Sequence, residues 1–402
     1  MRPIRETIPL EEARALIAEA ARPVDRTETV PLARAHGRVL ARTVVAAQDV
    51  PPFARAAMDG FAVVASDTFG AGSFAPRTAR VIETVHTGEV PTRSVSPGEC
   101  VQIATGAPMP EGADAVVMVE ETDKGEGALV RIFSPVYPGQ NVGRQGADIQ
   151  SGQTVLEAGN YLTSARVGVV AALGLGEVEV FARPRVALLS TGDEIVDPGR
   201  PLPPGHIYDI NRYTLSAIVE EHGGVPVPHA TSGDDLDHLS GALDACLVED
   251  LVVFSGGSSV GERDLVLDLV STRGEVVFHG IAVKPGKPTL FGVIQGKPVL
   301  GMPGYPTSCL SNGYMLLVPL LRQMARLPQA ATRTLHLPLG QRVVSTTGRH
   351  QFYTVRVVDD VAMPAFKASG DITSMSQADG YIEIAAQTDI VEKGEIVEVK
   401  LF

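Results

Sequence analysis

Between residues 183 and 328 continuous apolar runs alternate with segments of helical spacing, and that alternation admits few folds. Arg185–Ser190 (RVALLS) and Leu251–Phe254 are apolar almost throughout, as strands covered on both faces must be. Further strands are expected at Val225–His229, Val276–Phe278, Leu290–Ile294 and Pro298–Leu300, the last two joined by a Gln295–Gly296 turn. Helical spacing marks Arg212–His222, Leu236–Leu247, Asp264–Thr272 and a long helix from Thr307 to Ala325. Strands and helices in this order imply right-handed βαβ units and a mostly parallel sheet.

The flanking regions have another texture. Leu10, Ala13, Leu16, Ile17 and Ala20 fall on one helical face. Residues 27–48 suggest a second helix and a strand with Gly37 between them, and residues 141–182 suggest two short helical stretches, one around Ser164–Leu173, beside strand-like pieces. From 49 to 140 short valine-rich runs (Phe61–Val64, Val81–Val85, Ala115–Val119, Leu129–Phe133) alternate with Gly/Pro turns, which predicts an all-β region. After Pro328 only short strands are expected, at Thr334–Leu337, Gln341–Val344, Tyr353–Val358, Tyr381–Ala385 and Ile396–Leu401.

The expected fold is therefore multidomain α/β plus all-β. Residues 1–48 and 141–182 would form a discontinuous helical/strand linker domain with 49–140 inserted as a small β domain. Residues 183–328 would be the central α/β domain and 329–402 a C-terminal β-barrel.

A net charge of −13 argues against general nucleic-acid binding, which needs a basic footprint, but leaves room for a local basic pocket. Cys100, Cys246 and Cys309 are far apart and form no CxxC pair, so neither structural zinc nor a disulfide framework is indicated. No apolar run reaches the roughly 18 residues of a membrane helix, and the first residues lack a signal-peptide core, so a soluble, cytoplasmic protein is expected.

The clearest chemical feature is LVVFSGGSSVGERD, Leu251 to Asp264. Ligands of open α/β sheets sit beyond the carboxyl ends of the strands, where glycines let backbone N–H groups approach an anion. Ser255, Gly256, Gly257, Ser258 and Gly261 are candidates to cradle phosphate. Asp264 adds a negative charge there, which suits a metal ligand, a partner for a base donor, or an N-cap of the next helix. STGDEI places Thr191, Gly192, Asp193 and Glu194 after another buried strand. On a parallel sheet Asp193, Glu194 and Asp264 could converge and hold Mg²⁺, or remain surface acids in a turn. VKPGKP sets Lys284 and Lys287 on a rigid turn suited to an oxyanion, and Pro288 in place of Ser/Thr excludes a Walker motif. PGYPTS opens the long helix with Ser308 at its N-terminus. Asp59, Thr105 and Asp148 sit in glycine turns of the flanking regions. No HExxH or triad order is present.

Taken together these segments resemble one family, the molybdopterin molybdenumtransferases, known as MoeA in bacteria and archaea and as the E domain of gephyrin. PPFARAAMDGFAV, IATGAPMPEGADAVVM, GRQGADI, STGDEI, IYDINRYTL, SGGSSVGERD, AVKPGKPTLFG, GMPGYPTS and SMSQADG match in family order over nearly the whole chain. The resemblance implies an elongated homodimer of four-domain subunits, with the linker domain in dimerisation. It implies that adenylylated molybdopterin and molybdate bind, that the adenylate is hydrolysed with Mg²⁺ or a similar cation, and that molybdenum enters the dithiolene. By motif, Asp264, Glu194 and Asp193 would act in catalysis with Asp59, Thr105 and Asp148, the last three reaching across the dimer. Asp264 and Glu194 would hold the metal. Ser255, Gly256, Gly257, Ser258, Gly261, Thr191, Gly192 and Asp209 would hold pterin or nucleotide, and Lys284, Lys287, Ser308, Arg349 and Ser374 molybdate. Molybdopterin adenylyltransferase is the implied upstream partner, and neither nucleic acid nor membrane is expected. Tyr305 replaces the Asn of many bacterial members, and Arg356 lies two residues later than their second barrel arginine. The alternatives are tungsten insertion, adenylyl transfer itself, or a non-catalytic binding scaffold.

Overall fold

The chain's apolar runs find their place in three six-stranded sheets of a computed structural model, which describes residues 6–230, 236–256, 264–330 and 333–402. The chain divides into two units. One comprises Met1–Thr29, Gly37–Ala41 and Glu179–Phe402, the other Val30–His36 and Arg42–Val178.

The larger unit is built on a sheet with spatial order Val225–Pro228, Arg185–Ser190, Leu251–Ser255, Lys297–Met302, Leu290–Ile294, Glu275–His279. The first four strands pair in parallel, and the last two are antiparallel additions. The mostly parallel expectation thus meets an antiparallel edge, because the two-residue Gln295–Gly296 turn can only reverse the chain; Gln295 and Gly296 both take positive φ (51° and 74°). Strand alternation sends Val186, Leu188 and Val253 to one face and Ala187, Leu189, Val252 and Phe254 to the other. Helices Leu10–Ala20, Asn211–Glu221 and the 306–324 run cover the first face. Helices Leu236–Cys246 and Leu265–Arg273 cover the second.

The long helix expected at 307–325 is real but not uniform. Pro306–Asn312 is α-helical, Gly313–Leu317 is a π turn, and Val318–Met324 is α-helical again. Pro319 explains the break, since it has no N–H to give a carbonyl one turn back.

The C-terminal strands form a sheet of order Val283–Lys284, His350–Val358, Gly380–Ile384, Ile396–Leu401, Thr334–Pro338, with Val361–Pro364 paired to His350–Val358. Leu339 bridges Ala362, so the run of strands returns on itself through that one bridge. Its first strand comes from the α/β segment: Val283 pairs with His350 and Lys284 with Gln351. Only Val343–Val344 of the expected 341–344 strand is formed.

The smaller unit holds the sheet Ala115–Met118, Gly60–Val63, Glu99–Ile103, Arg77–Val85, Leu129–Ile132, Thr122–Lys124, with apolar clusters on both faces. Glu99–Ile103 and Thr122–Lys124 were not expected, because Glu99, Gln102, Asp123 and Lys124 mask the apolar pattern. Gly60 is obligatory here, since a Cβ would lie 1.9 Å from Val117 O. The second helix expected within 27–48 is not formed. Pro31 limits helix to the 3₁₀ turn Leu32–Arg34, and Gly37 (φ 78°) ends any continuation. Of the two helical stretches expected in 141–182, only Ser164–Ala172 exists among the described residues, capped by the Thr163 hydroxyl accepting from Arg166 N at 3.3 Å. Among the described residues no helix is long and apolar enough to cross a membrane.

Candidate functional site

The Arg185–Ser190 strand feeds Val225–Pro228 on one side and neighbours Leu251–Ser255 on the other, so the strand order reverses between 190 and 255. Crevices of open α/β sheets lie at such a point, beyond the strand ends. Three chain segments meet there. Thr191 N donates to Ser255 O (3.0 Å), the Ser190 and Ser255 hydroxyls are 3.2 Å apart, and Gly256 N donates to Met302 O (3.1 Å). Gly256 has φ 92°, and a Cβ on it would stand 2.7 Å from Thr191 O; a Cβ on Gly304 would stand 3.5 Å from Gly256 Cα. Glycine is what lets these strands end side by side. Gly257, Ser258 and Gly261 lie outside the described residues.

Three buried polar atoms in this region, Thr191 Oγ1, Asn211 Oδ1 and Asp209 Oδ2, have no hydrogen-bond partner among the described residues. Thr191 is 4% exposed with Oγ1 unbonded among the described residues, and the same holds for Asn211 Oδ1. Asn211 Nδ2 donates to Gly304 O (2.8 Å), which ties the following helix to the loop. Asp209 is 3% exposed, and its Oδ1 accepts from Arg212 N (3.0 Å) while Oδ2 stands 3.5 Å from Arg212 Nε. Buried polar atoms left without partners are exceptions that call for an explanation, and a ligand supplies one.

Asp264 is 5% exposed and is the N-cap of Leu265–Arg273, its Oδ1 accepting from Leu267 N at 3.0 Å. Its Oδ2 lies 3.0 Å from His279 Nε2, close but off the line of a hydrogen bond. Asp193 and Glu194 are exposed, and Glu194 folds back so that a Cβ on Gly192 would lie 2.6 Å from its Oε2. The expected gathering of Asp193, Glu194 and Asp264 is not formed. Among the described residues no group of three His, Cys, Asp or Glu side chains could hold a metal ion. The reason is that Asp264 is drawn down onto its own helix terminus and His279.

The basic side of the site is pinned by residues that motif inspection missed. Lys284 Nζ donates to Thr346 Oγ1 (2.8 Å), and Arg349 N donates to Thr346 O (3.3 Å), so Thr346 links the two cationic residues. Gly286 (φ 104°) packs against Asn312, whose Nδ2 donates to Gly286 O (3.0 Å) and Thr289 Oγ1 (2.6 Å). The turn carrying Lys284 and Lys287 is thereby fixed to the helix that carries Ser308. Thr307 N donates to Ser369 O (3.0 Å), and Thr307 Oγ1 meets Ser374 Oγ at 3.2 Å. Ser308 is 4% exposed. Ser374 is fully buried, with its hydroxyl donating to Asp371 O at 2.8 Å. It holds the first turn of the helix from behind.

In the smaller unit Asp59 Oδ1 accepts from Thr105 N at 2.7 Å, bringing two singled-out residues together. That backbone bond, with Thr105's side chain, lowers the Asp59 pKa below the usual carboxylate range. Gly106 (φ 86°) makes the turn possible. Asp148 is exposed, its N–H donating to Val50 O (3.0 Å). Nearby Asp49, which was not singled out, accepts from Ser151 N and Gln145 Nε2 at 2.8 Å each.

Comparison with known proteins covers the same span. Residues 8–174 match the MoeA N-terminal region (domain I and II), residues 187–323 the Probable molybdopterin binding domain, and residues 336–402 the MoeA C-terminal region (domain IV). Molybdopterin molybdenumtransferase 2 of Mycobacterium tuberculosis is 37% identical over 397 residues, covering 95% of this chain and 96% of its own. The molybdopterin molybdenumtransferase of Haemophilus influenzae is 31% identical over 401 residues, 98% of each chain. A crystal structure of the molybdopterin biosynthesis MoeA protein from Pyrococcus horikoshii superposes with a TM-score of 0.82 at 32% identity, covering 99% of this chain and 100% of that one.

Proposed function

The chain belongs to the molybdopterin molybdenumtransferase (MoeA) family, transferases of molybdenum cofactor biosynthesis, and on that premise we propose that it binds adenylylated molybdopterin and molybdate, hydrolyses the adenylate and places molybdenum on the dithiolene. The observation that carries this is the pairing of two anion-suited surfaces in one unit. One is the glycine crevice at 191 and 256, where the Thr191 hydroxyl has no partner among the described residues. The other is the Lys284–Lys287 turn, locked to the Ser308 helix by Asn312.

In this mechanism the crevice residues Ser255, Gly256, Thr191, Gly192 and Asp209 receive the pterin phosphate and nucleotide, together with Gly257, Ser258 and Gly261. Lys284, Lys287, Ser308 and Arg349 neutralise the tetrahedral dianion, and Ser374 backs them through Thr307. Asp264 orients the water that attacks phosphorus; its Oδ2 is the oxygen not used as the helix cap. Water adds to phosphorus, the P–O bond to the pterin phosphate breaks, and AMP leaves. The donor set does not make a cage for a cation, but two carboxylates suit a Mg²⁺ ion shared with substrate phosphates. Asp264 and Glu194, with Asp193, are the ligands the family resemblance implies for that ion, but they do not gather in this structure, and no step is derived through it.

We further propose a four-domain subunit divided at 48, 140, 182 and 328 and a homodimer. Asp59, Thr105 and Asp148 would act on the crevice from the partner subunit. Mixing Asp59→Asn with Asp264→Asn subunits would then restore partial turnover through hybrid dimers. A cytoplasmic setting, downstream of a molybdopterin adenylyltransferase, accords with the three unpaired, buried cysteines.

The decisive test is cofactor formation by the purified protein from adenylylated molybdopterin and molybdate, read by activation of an apo-molybdoenzyme. Tungstate in place of molybdate tests the tungsten alternative, and ATP with free molybdopterin tests adenylyl transfer. No product in any arm would leave a binding scaffold as the function.

A further inference from the structure

The Lys297–Met302 strand ends beside Leu251–Ser255 and runs through Pro303 and Gly304 into the helix that carries Ser308. Gly304 forms part of the crevice wall. A Cβ on it would stand 3.5 Å from Gly256 Cα, and its carbonyl accepts from Asn211 Nδ2 at 2.8 Å. Main chain is packed on main chain at this point, so neither 256 nor 304 offers a side chain to a substrate. The next residue, Tyr305, does.

Tyr305 is fixed by its main chain but leaves its ring uncovered. Its carbonyl accepts from Cys309 N at 2.8 Å, which sets it at the head of Pro306–Asn312. The 369–371 loop is tied to the same helix on both sides of Gly370. Thr307 N donates to Ser369 O and Thr307 Oγ1 donates to Asp371 O, at 3.0 Å each. A Cβ on Gly370 would stand 3.7 Å from Tyr305 Cδ1 and 4.0 Å from Cε1, so this loop lies next to the ring without a side chain to cover it. Tyr305 is 66% exposed, and its side chain has no ring, cation or hydrogen-bond partner among the described residues. A tyrosine face so presented stacks on a flat ring.

We propose that Tyr305 is the stacking platform for the pterin ring of the substrate, an assignment that rests on the substrate proposed above. The order of groups in adenylylated molybdopterin decides which ring reaches it. The pterin is fused to the pyran ring that bears both the dithiolene and the phosphate arm. The adenine is separated from that pyran by a ribose and two phosphates. Ser308, on the molybdate side, lies three residues beyond Tyr305, a rise of about 4.5 Å along a helix. Gly256, on the phosphate side, lies against the residue before it. A dithiolene facing Ser308 with its phosphate arm at Gly256 brings the fused pterin, and not the adenine, over Tyr305.

Equilibrium dialysis of the full-length protein against molybdopterin, adenylylated molybdopterin and AMP, each under anaerobic conditions, tests this. Tyr305→Ala should weaken both pterin ligands about tenfold, the loss of one ring contact, and leave AMP unchanged. It should keep the melting temperature, since the Tyr305 side chain makes no capping bond. Tyr305→Phe should bind the pterin ligands as the wild type does, because the ring face and not the hydroxyl makes the contact. Equal pterin affinity in wild type and Tyr305→Ala, or a loss confined to AMP and the adenylylated ligand, overturns the stacking role and leaves the substrate standing. A wild-type protein that binds neither pterin ligand overturns the substrate and the stacking role together.

Discussion

Asp264 Oδ2 stands 3.0 Å from His279 Nε2, while its Oδ1 accepts the Leu267 amide hydrogen at the start of the following helix. One carboxylate therefore caps the local helix and, in the proposed mechanism, also serves the site. The two duties can be separated, because asparagine caps a helix about as well as aspartate.

Asp264→Ala should lose both duties. Stability should fall by about 1 kcal/mol from the missing cap, and AMP release from adenylylated molybdopterin should stop. Asp264→Asn should keep the cap and the melting temperature yet still lose turnover. Normal turnover in the Asn variant would reduce Asp264 to a structural residue.

Lys284 is held by Thr346 and by main-chain pairing with Gln351. Lys284→Met removes the charge but leaves the strand pairing, so the fold should persist. Molybdate binding, followed by equilibrium dialysis, should weaken roughly tenfold or more. Thr346→Val should weaken it less, because the ammonium stays but loses its anchor. Unchanged binding in Lys284→Met would remove this lysine from the oxyanion site.

Asn312 is fully buried and donates to Gly286 O and Thr289 Oγ1. Asn312→Ala removes two buried hydrogen bonds, leaving Gly286 O with the Thr289 hydroxyl alone, and should cost about 1–3 kcal/mol in urea unfolding. Gly286→Ala should be at least as harmful, since φ is 104° and its Cβ would lie 2.5 Å from the Asn312 amide. Both should also weaken molybdate, because the turn between the lysines is displaced.

Glu383 and His350 predict how stability depends on pH. Burial pushes the Glu383 carboxyl up, but the Lys400 hydrogen bond and the charges of Lys400, Arg14 and His350 outweigh it, and the pKa ends below the ordinary value. His350 is also lowered, mainly by burial and against the pull of Glu383. Both groups then bind fewer protons folded than unfolded. Their stabilisation is complete above the unfolded values and is lost as the pH falls through the folded ones, His350 first and Glu383 in the carboxylate range. In Glu383→Gln the urea midpoint should decline less steeply across the carboxylate range. An equally steep decline would place the acid sensitivity elsewhere.

The sheet edge was legible because Arg185–Ser190 and Leu251–Ser255 are apolar on both faces and end in glycine loops. The helices of residues 183–328 were legible too, whereas a helix expected within 27–48 and one in 141–182 are not formed, and the π turn was hidden, since a single Pro319 decides it. Asn312, Thr346 and His279 were invisible for a different reason. Each acts on a residue 15 or more positions away (Asn312 on Gly286, Thr346 on Lys284, His279 on Asp264), and only the tertiary fold brings the pairs together. The three acids near the crevice shared a motif texture but not an orientation. Capping geometry claimed Asp264, and a turn folded Glu194 toward Gly192.

The central claim is that this chain couples adenylate hydrolysis to molybdate. Mixing purified protein with adenylylated molybdopterin and following AMP by chromatography, with and without molybdate, tests it most directly. AMP release that rises on adding molybdate, together with formation of molybdenum cofactor, is the expected result. Intact adenylylated molybdopterin after incubation with molybdate and Mg²⁺ would contradict it.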